Sequence, residues 1–171
     1  MSLRVALVVV ISTTVSYFHV MHNLENQTVQ QLERYIIERG QREDAAFQLA
    51  EDNLISLQDR FLQELSQPSD QPVSEQFDQL FFSWGDGTTR NFPETRLLSD
   101  FDTTRKATSF IGKNTDIVPS LKKRLLVAQR LITNYGAAWS NRFTNTYLNT
   151  AEDTTTIYWK DTPLALQASA D

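Results

Sequence analysis

The sequence predicts an α+β fold in which a long N-terminal helix packs on an antiparallel sheet. Three observations carry this. Apolar residues advance by threes and fours between Leu24 and Leu65, the period of one helix face. A polar stretch with two prolines, Ser66–Ser74, then breaks the pattern. Beyond it, aromatic and β-branched runs flank Asp86-Gly87, and a threonine run leads into Ile157-Tyr158-Trp159.

The chain opens with an apolar segment. Val5 to Met21 is seventeen residues without a formal charge, preceded by Arg4. A hydrocarbon core needs about 20 helical residues, so this run sits at the lower limit for a span. Ser12, Thr13 and Thr14 do not forbid insertion, because helical hydroxyls can bond back to backbone carbonyls. Val15 to His19 makes a poor cleavage site. The segment therefore reads as an uncleaved anchor, whole or partial, over residues 1–22; a signal peptide and a buried core helix are the competing readings. Arg4 on one side and Glu25 on the other put the N-terminus inside. The expected location is a cell inner membrane, with the rest of the chain periplasmic or extracellular. His19 and His22 share a helix face, but a metal site needs further ligands that the neighbouring sequence lacks; they read as membrane-interface residues.

Residues 23–66 form the long helix, one piece or two in line. Val29, Leu32, Ile36, Phe47, Ala50, Leu54, Leu57, Phe61 and Leu65 mark its apolar positions. Glu38–Asp44 is polar all round and contains Gly40, which means a solvated surface or a bend. Residues 67–171 make the third region. Phe77 to Trp84 precede Gly85-Asp86-Gly87, and Thr88–Phe92 follow, a hairpin signal. Thr104–Ile111 reads as a strand ended by Gly112. Pro119 suits the first turn of a helix carrying Leu121, Leu125, Ala128 and Tyr135 on one face, with Gly136 ending or interrupting it. Phe143–Leu148 fits helix or strand, and Thr154–Trp159 reads as a strand.

Composition narrows the chemistry. A net charge of −5 leaves no basic stripe for nucleic acid, and the absence of cysteine removes disulfides and thiolate chemistry. No glycine-rich phosphate loop, HExxH or GxSxG occurs, and Asp100-Phe101-Asp102 reads as a turn. The chain reads as a module that binds or senses, with no catalytic set, no metal site and no cofactor.

Four fragments stand in order: WGDGTTR (Trp84–Arg90), FDTTRKATSFIG (Phe101–Gly112), LITNYGAAW (Leu131–Trp139) and FTNTYLNTAEDTTTIYW (Phe143–Trp159). This series resembles the extracytoplasmic Cache-type sensor region of bacterial membrane receptors, sensor histidine kinases in particular. The resemblance implies a PAS-like sheet packed on a long helix, a small-molecule ligand, and a homodimer as the working state. It also implies that the chain is the N-terminal part of a longer receptor, an incomplete sensor whose Ile157-Tyr158-Trp159 strand lies poorly covered or pairs with another copy. The amino-acid-binding branch of that family carries Arg-x-Trp-Tyr, which is missing here, so amino-acid recognition does not carry over. What remains is physical: Trp84, Phe110, Trp139, Tyr147, Tyr158 and Trp159 can line a pocket, and Arg90 or Arg105 can hold an anionic ligand. The expected function is extracytoplasmic signal sensing transmitted through the long helix. The alternative is a membrane-anchored structural or adaptor protein that dimerises through that helix.

Overall fold

A computed structural model describes residues 2–68 and 71–168, with side chains from residue 7. Two units follow one another along the chain, residues 1–53 and 54–171. The described residues of the first are all helical. They belong to α1 (Ser2–Ser66), which passes through Gly40 and the polar Glu38–Asp44 stretch without interruption. Nothing there demands a bend: Gly40 meets no neighbouring atom, and Arg39 and Glu43 form an exposed i, i+4 ion pair at 2.9 Å. Thr13 and Thr14 donate to the carbonyls of Val9 and Val10 at 2.8 Å, so these two hydroxyls of the apolar run are satisfied within their own helix. Leu7, Val8, Ile11 and Phe18 are all more than half exposed. This is one helix long and apolar enough, by length and composition, to cross a membrane.

The second unit begins with the last turns of α1. It continues through α2 (Val73–Leu80), β1 (Phe82–Ser83), β2 (Thr89–Arg90), a 3-10 turn at Leu98–Asp100, β3 (Thr108–Ile111), α3 (Pro119–Trp139), β4 (Asn145–Thr150), β5 (Thr154–Trp159) and α4 (Leu164–Gln167). The sheet is open and antiparallel throughout, in the order β1-β2-β3-β5-β4.

Local chemistry explains these boundaries. Gly87 takes φ +84°, which lets Gly87 N–H donate to Trp84 O at 3.0 Å and closes the hairpin expected at Asp86-Gly87. The strand expected from Thr104 starts only at Thr108. Asp102 Oδ1 accepts from Thr104 N–H at 3.0 Å and from its hydroxyl at 2.5 Å, holding residues 102–105 in a turn instead. The ambiguous Phe143–Leu148 stretch resolves as β4, because it pairs with β5 over six consecutive residues. Gly136 does not stop α3. It lies against β5, where an added Cβ would sit 2.4 Å from that of Tyr158, so glycine is needed for helix and sheet to approach.

α3 lies across one face of the sheet. Leu121 and Leu125 pack with Phe77, Phe81 and Ile111 in one cluster; Leu131 and Ile132 pack with Tyr158 and Ala107 in another. α1 joins the second cluster through Leu57, with Phe61 and Leu65 packed against it. Lys123 of α3 also caps that end of α1, donating to Leu65 O at 2.7 Å and Gln67 O at 2.8 Å. Between helix and sheet lies a small polar layer. Ser109 Oγ donates to Gln129 Oε1 at 2.5 Å and lies 2.9 Å from Thr156 Oγ1, while Gln129 Nε2 donates to Ala107 O at 2.7 Å. All three side chains are buried and partnered, so they specify the helix position without leaving a polar atom orphaned.

Strand β5 departs from the expectation of a poorly covered strand. It lies inside the sheet between β3 and β4, with Ile157 and Tyr158 buried. The β4–β5 hairpin covers one of its edges and α3 one of its faces.

Candidate functional site

Residues opposite one another in an antiparallel ladder share a face, and neighbours along a strand alternate. Ser109, Ile111, Thr156 and Tyr158 face α3. Phe82, Arg90, Phe110 and Thr155 form one row across the opposite face, and Thr108, Ile157 and Tyr147 form the next. α4 lies on this second face: Ala165 N–H donates to Thr108 Oγ1 at 3.3 Å, and Leu166 is buried with Phe92 and Phe101.

Arg90 is the centre of that face. Its side chain is 3% exposed. Nη1 donates to Leu166 O at 2.5 Å, and Nη2 to Ala168 O at 2.9 Å and Asp86 Oδ2 at 2.7 Å. Nε donates to Thr88 Oγ1 at 3.1 Å. The guanidinium lies 3.9 Å from the centroid of the Trp84 ring and 5.3 Å from that of Phe110. Four of its five N–H donors are therefore engaged within the chain. Asp86, the residue that completes this cage, gave only a turn signal in the sequence. Its carboxylate accepts from the Thr88 hydroxyl at 2.6 Å and the Thr88 N–H at 2.9 Å. The Thr88 hydroxyl does most to hold its pKa below the ordinary carboxylate range, with the Thr88 N–H and Arg90 assisting against desolvation.

The eight sequence candidates thus fall in several places. Trp84, Arg90, Phe110, Tyr147 and Trp159 belong to the α4 face. Tyr158 points the other way and is core, its hydroxyl donating to Thr104 O at 2.9 Å. Trp139 packs beside it, ring to ring with Tyr135 at 5.0 Å. Arg105 is exposed in the loop before β3, 3.4 Å from Asp102.

The loop between β2 and β3 builds a cavity that sequence reasoning did not find. It measures about 350 Å³ and is lined by Leu80, Phe82, Phe92 and Phe101 together with Arg96, Asp100, Asp102 and Lys106. A second cavity of about 250 Å³ adjoins it on the α3 side, sharing Leu80, Asn91 and Lys106. Asn91 fixes the loop between them: its amide donates to Ala107 O at 2.8 Å and accepts from Ser109 N–H at 2.7 Å, as a strand residue would. Among the described residues, the side chains of Arg96 and Lys106 have no hydrogen-bond or ion-pair partner. Asp102 is already held by Thr104 and Arg105, and the hydrogen bond from the Thr104 hydroxyl keeps it below the ordinary carboxylate range. Among the described residues the Asp100 carboxylate is likewise unpartnered, so apolar side chains, two free cations and one free carboxylate line the cavity, a set that suits a small organic zwitterion or anion. No periodicity or motif marks these loop residues, so no signal in one sequence would have located them.

Among the described residues, no group of three or more histidine or carboxylate side chains is arranged to hold a metal ion. No family model, no curated protein and no solved structure matches the chain.

Proposed function

We propose that this chain is the signal-sensing region of a membrane receptor. It is held outside the cytoplasm by its apolar N-terminal helix, and binds a small organic anion or zwitterion in the cavity walled by Phe82, Phe92 and Phe101. The observation that carries the reading is α1 itself. One helix bears an exposed apolar run near its start and, in its last turns, Leu57, Phe61 and Leu65 packed into the core beneath the sheet. A ligand that binds two arrangements of that core unequally shifts the last turns of α1, and the helix carries the shift towards the membrane. Assignment to the bacterial sensor histidine kinase type, in the inner membrane with the sensor in the periplasm, rests on the ordered fragments between Trp84 and Trp159. A second reading, an anchored adaptor that dimerises through α1, is favoured by the exposure of Leu32, Ile36 and Phe47.

Two measurements test the proposal. Alkaline phosphatase fused after Gln67 is expected to be active in a bacterial host; a cytoplasmic fluorescent reporter that lights up at that position overturns the topology. The purified chain in detergent, screened by thermal shift against small carboxylates, phosphates and zwitterions, is expected to gain stability with at least one class. That gain should disappear in the Arg96→Ala/Lys106→Ala double variant. A stabilising compound indifferent to both residues would place the site elsewhere.

A further inference from the structure

Three cavities adjoin in series. The cavity proposed for the ligand shares Leu80, Asn91 and Lys106 with the one of about 250 Å³. That middle cavity in turn shares Leu126 and Arg130 with a third, of about 530 Å³, lined from α1, α2 and α3. Arg130 therefore lines both of the last two. Its Nη2 donates to Glu64 Oε2 of α1, a carboxylate whose side chain is only 4% exposed. Arg60, one turn earlier on α1, donates to the other carboxylate oxygen at 2.9 Å. The Arg130 side chain is itself 57% exposed, and among the described residues its remaining donors have no partner. Lys123 also holds the end of α1, but it does not line the middle cavity.

We propose that Arg130 couples ligand binding to α1: the anionic group of a ligand that reaches the middle cavity engages the free donors of Arg130 and weakens its hold on Glu64. This rests on the sensing reading and names the contact through which that site acts. The cause is electrostatic. Two anions bonded to one guanidinium stand well inside the Debye length, about 10 Å at 0.1 M salt, and Glu64 is too buried for water to screen their repulsion. Arg60 keeps Glu64 paired when Arg130 turns to the ligand, so the contact loosens without stranding a buried charge. Linkage makes the effect reciprocal: whatever factor the anion takes from the Glu64–Arg130 contact, Glu64 takes from the affinity for the anion. A residue that only shaped the cavity would show no such reciprocity.

Asn134 offers a test that needs no ligand. It lines the middle cavity one turn after Arg130 and is exposed. In the full chain in detergent micelles, Asn134→Asp sets a fixed carboxylate beside Arg130. Amide exchange at residues 62–66 is expected to accelerate about twofold, the size of an exposed i, i+4 charge pair. The acceleration should vanish when Arg130→Gln is added. Asn134→Asp that leaves residues 62–66 unchanged, or that acts equally without Arg130, overturns the proposal. Benzoate, a small anion with an apolar ring, tests the coupling from the other side. Its affinity by calorimetry should rise about fivefold or more in Glu64→Gln, which frees Arg130 and keeps the shape of the side chain, and should fall in Arg130→Gln. Benzoate bound with an affinity indifferent to Glu64→Gln overturns the coupling and leaves the cavity a ligand site. If none of these chains binds benzoate, the ligand reading fails for this probe, while the Asn134→Asp result still decides the coupling.

Discussion

Arg90→Ala is the substitution whose cost the structure defines best. It removes a 3% exposed guanidinium and leaves Leu166 O and Ala168 O without their donor. It also removes the cation stacked on Trp84. The ion pair to Asp86 adds little by itself, because that carboxylate is about one third exposed and screened by solvent. The main loss is two hydrogen bonds from a charged donor to main-chain carbonyls, about 1.5–3 kcal/mol each. Two such bonds set an expected total of about 3–6 kcal/mol. For a unit of this size that is a fall in Tm of about 10–20 °C. Arg90→Lys retains the charge beside Asp86, but one ammonium cannot reach acceptors spread around a planar fork, so roughly half the loss should remain. Urea unfolding followed by Trp fluorescence measures the total, and amide exchange at Ala165–Ala168 should accelerate in both variants. An Arg90→Ala chain within about 1 kcal/mol of wild type, with protected α4 amides, would refute the view that this side chain fastens α4 to the sheet.

Three further outcomes are expected. Gly136→Ala forces a Cβ to within 2.4 Å of that of Tyr158, and should cost about 1–3 kcal/mol in chemical unfolding by prising α3 from β5. Gly87→Val places a β-branched residue at φ +84° and should lose about 1–3 kcal/mol, read as an earlier denaturation midpoint; an unchanged midpoint would mean that the hairpin tolerates another turn. The lowered pKa of Asp86 makes its contribution complete above its unfolded value of about 3.9, and lost as pH falls through the lower folded value. Stability should therefore drop on acidification below about pH 4, and Asp86→Asn should flatten that limb in pH-dependent melting.

The parts of the fold legible in the sequence were those with local causes. The Asp86-Gly87 hairpin needed only a residue tolerant of positive φ, Pro119 opened α3 as expected, and Thr154–Trp159 formed a strand. α2 passed unrecognised. Its apolar residues Phe77 and Leu80 run directly into the aromatics of β1, so one run served two periods. α4 is too short to show any period. The side chains of the site were harder to read, because a strand alternates faces and nothing local says which face is core. Tyr158 and Trp159 are neighbours of similar chemistry, yet only Tyr158 meets Gly136, on a helix more than twenty residues away in sequence. The sequence offers Arg90 or Arg105 as the holder of an anionic ligand, and nothing local reveals that Arg90 bonds carbonyls 76 and 78 residues downstream.

That separation shapes how the molecule is made. Asp86 lies four residues from Arg90, so the ion pair and the stacked Trp84 can form as soon as the hairpin leaves the ribosome. Leu166 follows 76 residues later, an interval of about 4–15 s at typical synthesis rates. During that time the guanidinium is neutralised by its neighbour while β3 awaits β5, a pairing with a large loop-closure cost. Both hairpins form locally, β1–β2 early and β4–β5 only shortly before α4. The clamp on α4 joins β2 to a helix 76 residues downstream, so it closes only after every strand of the sheet has been made.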